Sequence, residues 1–395
     1  MTDKLSQKRA DSSSPEEPYM VEAESLPEIS IDGEELQAEP KRERHPFIKK
    51  GPLSRREKIY FYSAIGTILL VGGGLLWWLN GQSLTGPADS MSSITRTPAV
   101  KYYSPLTGVE VADEAATKKA VIAVMIENSP DARPQSGLVD AEIVFEAVAE
   151  GGITRFIALY QTANPDLIGP VRSLRPYYAD WAASFDPSVA HVGGSPEALT
   201  MIRSGNYGVD IDQFFNAGGY WRANDRYAPH NVYTSMEKLR ELSTGKGKTS
   251  SNAVFSPRID GKKVDAPNAS SISIPISSAL FNVTYDYDSA TNAYARKLGG
   301  AAHTDREKGQ IAPKVVIVLK TAISLAADGS HQNITTTGNG QAYVFQNGTV
   351  TDATWTKASA KERLIFKDTE GKEIQLVRGQ TWITTVAKDK NVTWQ

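Results

Sequence analysis

The hydrophobic pattern changes period several times along the chain, and each change marks an element. Residues 59–79 carry no charged side chain; as a helix this run is about 31 Å long, the thickness of a bilayer core. Val121 to Ile126 (VIAVMI) is a short continuous apolar run, the pattern of a buried strand. Residues 141–150 and 153–161 (AEIVFEAVAE, ITRFIALYQ) are strand-like and meet at Gly151-Gly152, a hairpin signal. Residues 177–185 read as a helix and 189–192 as a short strand. Ser195-Pro196-Glu197 then opens a helix that runs to Arg203, with Ser as N-cap and Pro at the first helical position. After a further short helix comes a Gly/Lys/Ser/Thr-rich stretch over 243–252, where a domain boundary is placed. Beyond it the pattern is β-rich: 281–287 and 293–297 flank a turn, and 315–319, 341–345, 364–366, 373–377 and 381–386 follow as separate strands.

The pattern predicts an α+β fold. An N-terminal α/β domain with a mixed sheet (105–248) precedes a β-rich C-terminal domain (249–395), behind one N-terminal transmembrane helix (59–79). Residues 1–40 are poor in large apolar residues and hold an acidic series from Glu16 to Glu39, so 1–58 is read as a disordered tail. A basic run from Lys41 to Lys58 directly precedes the apolar one, which places that side in the cytoplasm and the body outside it. Trp77 and Trp78 suit the far interface, and the long polar leader argues against a cleaved signal peptide. Residues 80–104, rich in Gly, Ser, Thr and Pro, read as a flexible linker.

Charge and composition narrow the chemistry. The 395 residues carry 43 Lys+Arg against 45 Asp+Glu, a balance that argues against nucleic acid as a partner. The chain has 0 Cys, which excludes disulfides, a thiol nucleophile, a zinc ribbon and a lipidated cysteine. With 5 His, no metal site and no cofactor are expected.

Several long motifs stand out: IENSPDARPQSGL (126–138), FEAVAEGGITRF (145–156), IGPVRSLRPYY (168–178), HVGGSPE (191–197), YWRANDRYAPHNVYT (220–234) and GQTWI (379–383). Together they resemble the YerB-like family of bacterial envelope proteins. The likeness spans roughly 105–388 and both halves of the family's two-part architecture. It implies a secreted or membrane-attached protein, often a lipoprotein, with no assigned activity and no catalytic residues to carry over. Lacking Cys, this chain departs from the lipoprotein anchor, and the 59–79 helix stands in its place.

Site candidates therefore rest on residue chemistry. Glu146 and Glu150 would share one strand face, with Cα atoms about 13 Å apart. That exceeds the roughly 5–9.5 Å between the carboxyl groups of glycosidase pairs. Arg133, Arg155, Arg172 and Arg175 could form an anion pocket or pair internally with Glu146, Glu150 and Asp180. Ser195 with His191 and His230 falls short of a nucleophile elbow, because Pro196 lacks the backbone N–H that would serve as oxyanion donor. Trp221, Asp225, Arg226, His230, Asn231 and Tyr233 lie in a Pro-containing loop that could carry a sugar or peptide. His303 and Asp305 are too few for a metal, and Trp355 and Trp382 read as core.

Three functions are compatible with this pattern. The first is a membrane-anchored extracytoplasmic protein binding an anionic envelope ligand, a cell-wall glycan or peptide. The second is a cell-wall-acting hydrolase or lyase using Glu146 or Glu150 with His230. The third is a signalling adaptor whose acidic cytoplasmic tail binds a partner. The membrane, through the single helix, is the other expected partner.

Overall fold

The apolar runs become strands of one sheet that passes through both halves of the chain. The structure, a computed structural model, describes residues 55, 56 and 100–395. The expected tail, transmembrane helix and most of the linker lie outside the described residues; Arg55 and Arg56 are helical and exposed. Among the described residues no helix is long and apolar enough to cross a membrane. Tyr102–Tyr103 already pairs with Glu110–Val111, so ordered structure begins within the stretch expected to be linker.

The main sheet has ten strands, numbered in chain order. They are β1 (Ile122–Glu127), β2 (Ile143–Glu150), β3 (Ile153–Tyr160), β4 (Ser188–His191), β5 (Val209–Asp212), β6 (Val315–Thr321), β7 (Gly338–Gln346), β8 (Thr349–Lys357), β9 (Ile365–Lys367) and β10 (Thr381–Ala387). Their spatial order is β9-β8-β7-β6-β10-β2-β3-β1-β4-β5. β10 lies parallel to β6 on one side and parallel to β2 on the other. The 248/249 break in the sequence therefore does not interrupt the sheet: a C-terminal strand seats the N-terminal hairpin.

Both faces of the central strands are covered, which is why they read as continuous apolar runs. One face of β2 gives Ile143, Phe145 and Ala147 to a core completed by the helix α1 (Pro176–Ala183), where Phe145 stacks on Trp181 at 5.6 Å between ring centroids. The opposite face gives Val144 to a second core with Phe156 and Trp382. A smaller sheet, Ser271–Ile274, Val283–Asp288, Ala293–Leu298, Ala301–Ala302 and Thr393–Trp394, packs a third core against Val316, Val318, Phe345 and Val386. Trp355 and Trp382 are buried in these layers, as the sequence suggests.

The helix α2 (Pro196–Arg203) starts as its sequence dictates. Ser195 Oγ accepts from the Ala198 backbone N–H, and Pro196 occupies the first turn, where a donor is not needed. The hairpin turn between β2 and β3 needs Gly151 (φ +54°) and Gly152 (φ +79°), a left-handed pair that residues with a Cβ adopt at a cost.

Candidate functional site

A β-bulge between Val148 and Glu150 decides where the two candidate carboxylates go. Without it, residues four apart on a strand would share a face. The extra residue turns Glu150 onto the α1 face, while Glu146 stays on the opposite one. They do not form a pair.

Glu146 lies fully buried where the halves meet. Its Oε2 accepts from Arg296 Nη2 at 2.8 Å, from Trp382 Nε1 at 3.2 Å and from Thr384 Oγ1 at 3.4 Å. Its Oε1 accepts from Thr154 Oγ1 at 3.2 Å. Arg296, equally buried, also donates from Nε to His303 Nδ1 at 2.8 Å and from Nη1 to the Tyr285 hydroxyl at 2.6 Å. Its guanidinium lies 4.3 Å from the Trp382 ring centroid. Both carboxylate oxygens are saturated and no solvent reaches them, so Glu146 holds the fold together and has no access to a substrate.

His303 belongs to the same network. With Nδ1 accepting from Arg296, Nε2–H donates to Gln135 Oε1 at 3.1 Å. Burial, then the Arg296 charge, holds its pKa well below the ordinary histidine value. Native His303 thus takes up no proton where unfolded His303 does. Its contribution is intact above the unfolded pKa of about 6.5 and is lost progressively below it, by at most about 1.4 kcal/mol per pH unit. Urea unfolding at pH 7.5, 6.0 and 5.0 should show this slope in the wild type and a shallower one in His303→Gln; equal slopes would refute the assignment. Asp305 makes no metal site with it: its carboxylate caps the following turn, accepting from the Glu307 and Lys308 backbone N–H groups. Among the described residues no cluster of three or more metal-ligating side chains occurs.

On the other face runs a ladder of alternating charge. Glu150 Oε2 meets Arg155 Nη2 at 2.8 Å, its Oε1 meets Arg175 Nη2, and His331 Nε2 stands 3.6 Å away. Arg155 lies directly across from Glu127 in the β1–β3 register. Burial lowers the pKa of Arg155, Arg172 and Arg175 alike. Of the expected anion-pocket arginines, Arg133 donates to Asn128 and the Leu280 carbonyl. Arg155 and Arg175 are clamped on Glu150. Only Arg172 keeps its outer nitrogens without a protein acceptor among the described residues; its Nε sits 3.2 Å from Glu127 Oε1.

Glu127 ends β1 and is 4% exposed. Its Oε1 accepts from Ser129 Oγ at 2.9 Å and from His230 Nδ1–H at 3.0 Å; Oε2 is buried and has no partner. The Arg172 backbone is laced between the ends of β1 and β4, bonding the Met125 carbonyl and the Val192 N–H. The carboxyl ends of neighbouring parallel strands are the usual place for a site in an α/β sheet. His191 and Ser195 contribute to none of this. Buried His191 bonds the Gly193 carbonyl and Asp210, and Ser195 caps its helix.

The 220–233 loop carries the remaining candidates. Arg226 clamps it to the 130–134 turn through the Asp131 and Pro134 carbonyls, and Asn231 staples it internally through Arg222, Ala223 and Arg226. Its other side lines an open cleft of 550 Å³ with Leu167, Trp221, Arg222, Asp225, Tyr233, Arg306 and Glu307. Arg306 reaches over from the C-terminal half to Asp225 at 2.5 Å; this hydrogen bond lowers the Asp225 pKa and raises that of Arg306. Burial raises the pKa of Tyr233, and the neighbouring Arg226 and Arg306 cations oppose that rise.

Sequence reasoning names Arg172, His230, Trp221, Asp225 and Tyr233 but misses Glu127, Ser129 and Arg306 as site residues. Glu127 had a signal: a lone carboxylate closing an apolar run, followed at once by Asn-Ser-Pro-Asp.

These features define a two-part, sheet-rich α/β protein whose polar groups gather at the seam and at the strand ends. The chain belongs to the YerB-like family of unknown function: residues 106–249 match the DUF3048 N-terminal domain and 272–383 its C-terminal domain. It is similar to the Bacillus subtilis (strain 168) protein named "Putative lipoprotein YerB", at 34% identity over 298 residues, 73% of this chain and 87% of that one. It is also similar to the crystal structure of the YerB protein from Bacillus subtilis, at 30% identity and a TM-score of 0.66, covering 74% of this chain and all of that one.

Proposed function

We propose that this protein is a membrane-attached, extracytoplasmic binding protein that holds an anionic envelope ligand, a glycan or peptide, in the cleft between the 220–233 loop and Arg306. The observation that carries the reading is the make-up of that cleft. Trp221 is 36% exposed on its wall, beside Arg222 and Arg306 as the cations. An aromatic face takes the apolar side of a sugar or peptide plane, and guanidinium forks take carboxylate or phosphate. The openness of the cleft suits a polymer segment passing through it. The lipoprotein name of the Bacillus subtilis relative and the charge-free run 59–79 behind a basic flank support attachment at the membrane, tail inward and body outward.

The test is co-sedimentation of the full-length protein, in detergent, with purified peptidoglycan. Trp221→Ala and Arg306→Ala should each weaken binding about tenfold, the equivalent of 1.4 kcal/mol. Undiminished sedimentation of both variants would remove the cleft from consideration.

A further inference from the structure

We propose that Glu127 and His230 form a general-base dyad, with Arg172 as oxyanion partner, that hydrolyses a carboxylic ester. The site is distinct from the cleft and does not depend on the binding reading. A competent imidazole base needs a buried acceptor that fixes one ring nitrogen as N–H and leaves the other free to take a proton. That arrangement is present. Glu127, 4% exposed, accepts from Nδ1–H at 3.0 Å, and Nε2 is unpartnered yet not buried, 4.0 Å from the exposed Asp131 carboxylate. The exposed Tyr227 ring packs edge-on against the imidazole at 5.4 Å. Arg172 rests its Nε 3.2 Å from the same Glu127 oxygen and directs no outer N–H to any protein acceptor among the described residues. Base and cation are thus held on one atom, on the loops at the strand ends.

The chemistry follows from what is free and what is committed. The Ser129 hydroxyl donates to Glu127 at 2.9 Å and is buried, so water is the nucleophile. Water oxygen bonds to the ester carbonyl carbon while Nε2 takes its proton. The carbonyl electron pair moves to oxygen, and the oxyanion faces the Arg172 nitrogens. The pair then returns, the carbon–alkoxide bond breaks, and Nε2 gives its proton to the leaving oxygen, releasing a carboxylic acid and an alcohol. One proton shuttle and one cation suffice for this step. Glycoside cleavage would need two accessible carboxylates across the scissile bond, and Glu146 and Glu150 are both committed elsewhere. Glu127 is a positioning residue; His230 and Arg172 touch the reacting atoms.

The experiment uses the full-length protein in detergent with 4-nitrophenyl acetate and, separately, 4-nitrophenyl phosphate. The acyl ester should be hydrolysed, with loss of about 100-fold or more in His230→Ala and about 100-fold in kcat in Arg172→Ala. Glu127→Gln should fold, keep an acceptor for Nδ1–H, and move the limb of the pH–rate profile that reports the base. Near-ultraviolet circular dichroism screens for folding. Should His230→Ala misfold, the rate at which diethyl pyrocarbonate modifies His230 in the wild type, scored by peptide mass, stands in for it. Acyl ester turnover equal in wild type and His230→Ala, no turnover at all, a His230 that resists modification, or cleavage of the phosphate ester alone would each overturn the proposal.

Discussion

Arg296→Met should destabilise the protein by about 3–5 kcal/mol, the cost of leaving a buried charge without its partner. Arg296 and Glu146 are both 0% exposed, 150 residues apart in sequence and 2.8 Å apart in space. Removing the guanidinium strands the Glu146 carboxylate beneath Trp382 and Thr384 and deprives His303 Nδ1 and the Tyr285 hydroxyl of their partner. The pair joins β2 of the first half to the small sheet of the second, so the loss should be global and cooperative: the urea midpoint falls with little change in m. Arg296→Met combined with Glu146→Leu should recover much of the stability, since replacing both ions removes the desolvation cost along with the attraction. A single-variant loss below about 1 kcal/mol would mean that water reaches the pair, contrary to its burial.

Most strands of this fold are legible in the sequence because their apolar runs are intrinsic to them. Val121 to Ile126 and the two arms around Gly151-Gly152 announce themselves by period and turn chemistry, and they appear as β1, β2 and β3 within a residue or two. What joins the strands is not legible. β10 pairs in parallel with β2 across more than 200 residues, and nothing local to Thr381–Ala387 says that its second partner lies in the other half. The same applies to the charges. Glu146 and Glu150 look equivalent in AEIVFEAVAE, yet a one-residue bulge sends them to opposite faces, and a bulge leaves no reliable trace in the apolar pattern. Glu127 closes a buried strand, where a carboxylate reads as the first residue of a loop. Its role emerges only once His230 and Arg172 are folded against it.

Glu150→Gln and Arg172→Ala should behave as opposites, though both residues lie in motif segments and both belong to one charge ladder. Glu150 binds Arg155 through one oxygen and Arg175 through the other, and those arginines are 8% and 7% exposed at their side chains. A neutral amide there leaves two guanidiniums facing each other without the carboxylate between them, each keeping only a backbone carbonyl, of Ser173 and of Leu174, as hydrogen-bond acceptor. The expected loss is about 2–4 kcal/mol, somewhat under that for a fully enclosed pair because Glu150 is itself 21% exposed. Arg172 is 23% exposed and has a single protein partner, and Glu127 Oε1 keeps Ser129 and His230 after Arg172 is removed. Its loss should therefore cost about 1 kcal/mol or less. Guanidinium chloride midpoints of the two variants, compared at one pH, test the order. Should Arg172→Ala prove the costlier, its guanidinium would be bound by the protein itself, and the free outer nitrogens on which an oxyanion role depends would not exist. If the order holds, the ladder divides as its contacts imply: the Glu150 end fixes the hairpin to α1, and the Glu127 end leaves a cation and an imidazole facing outward at little cost to the fold.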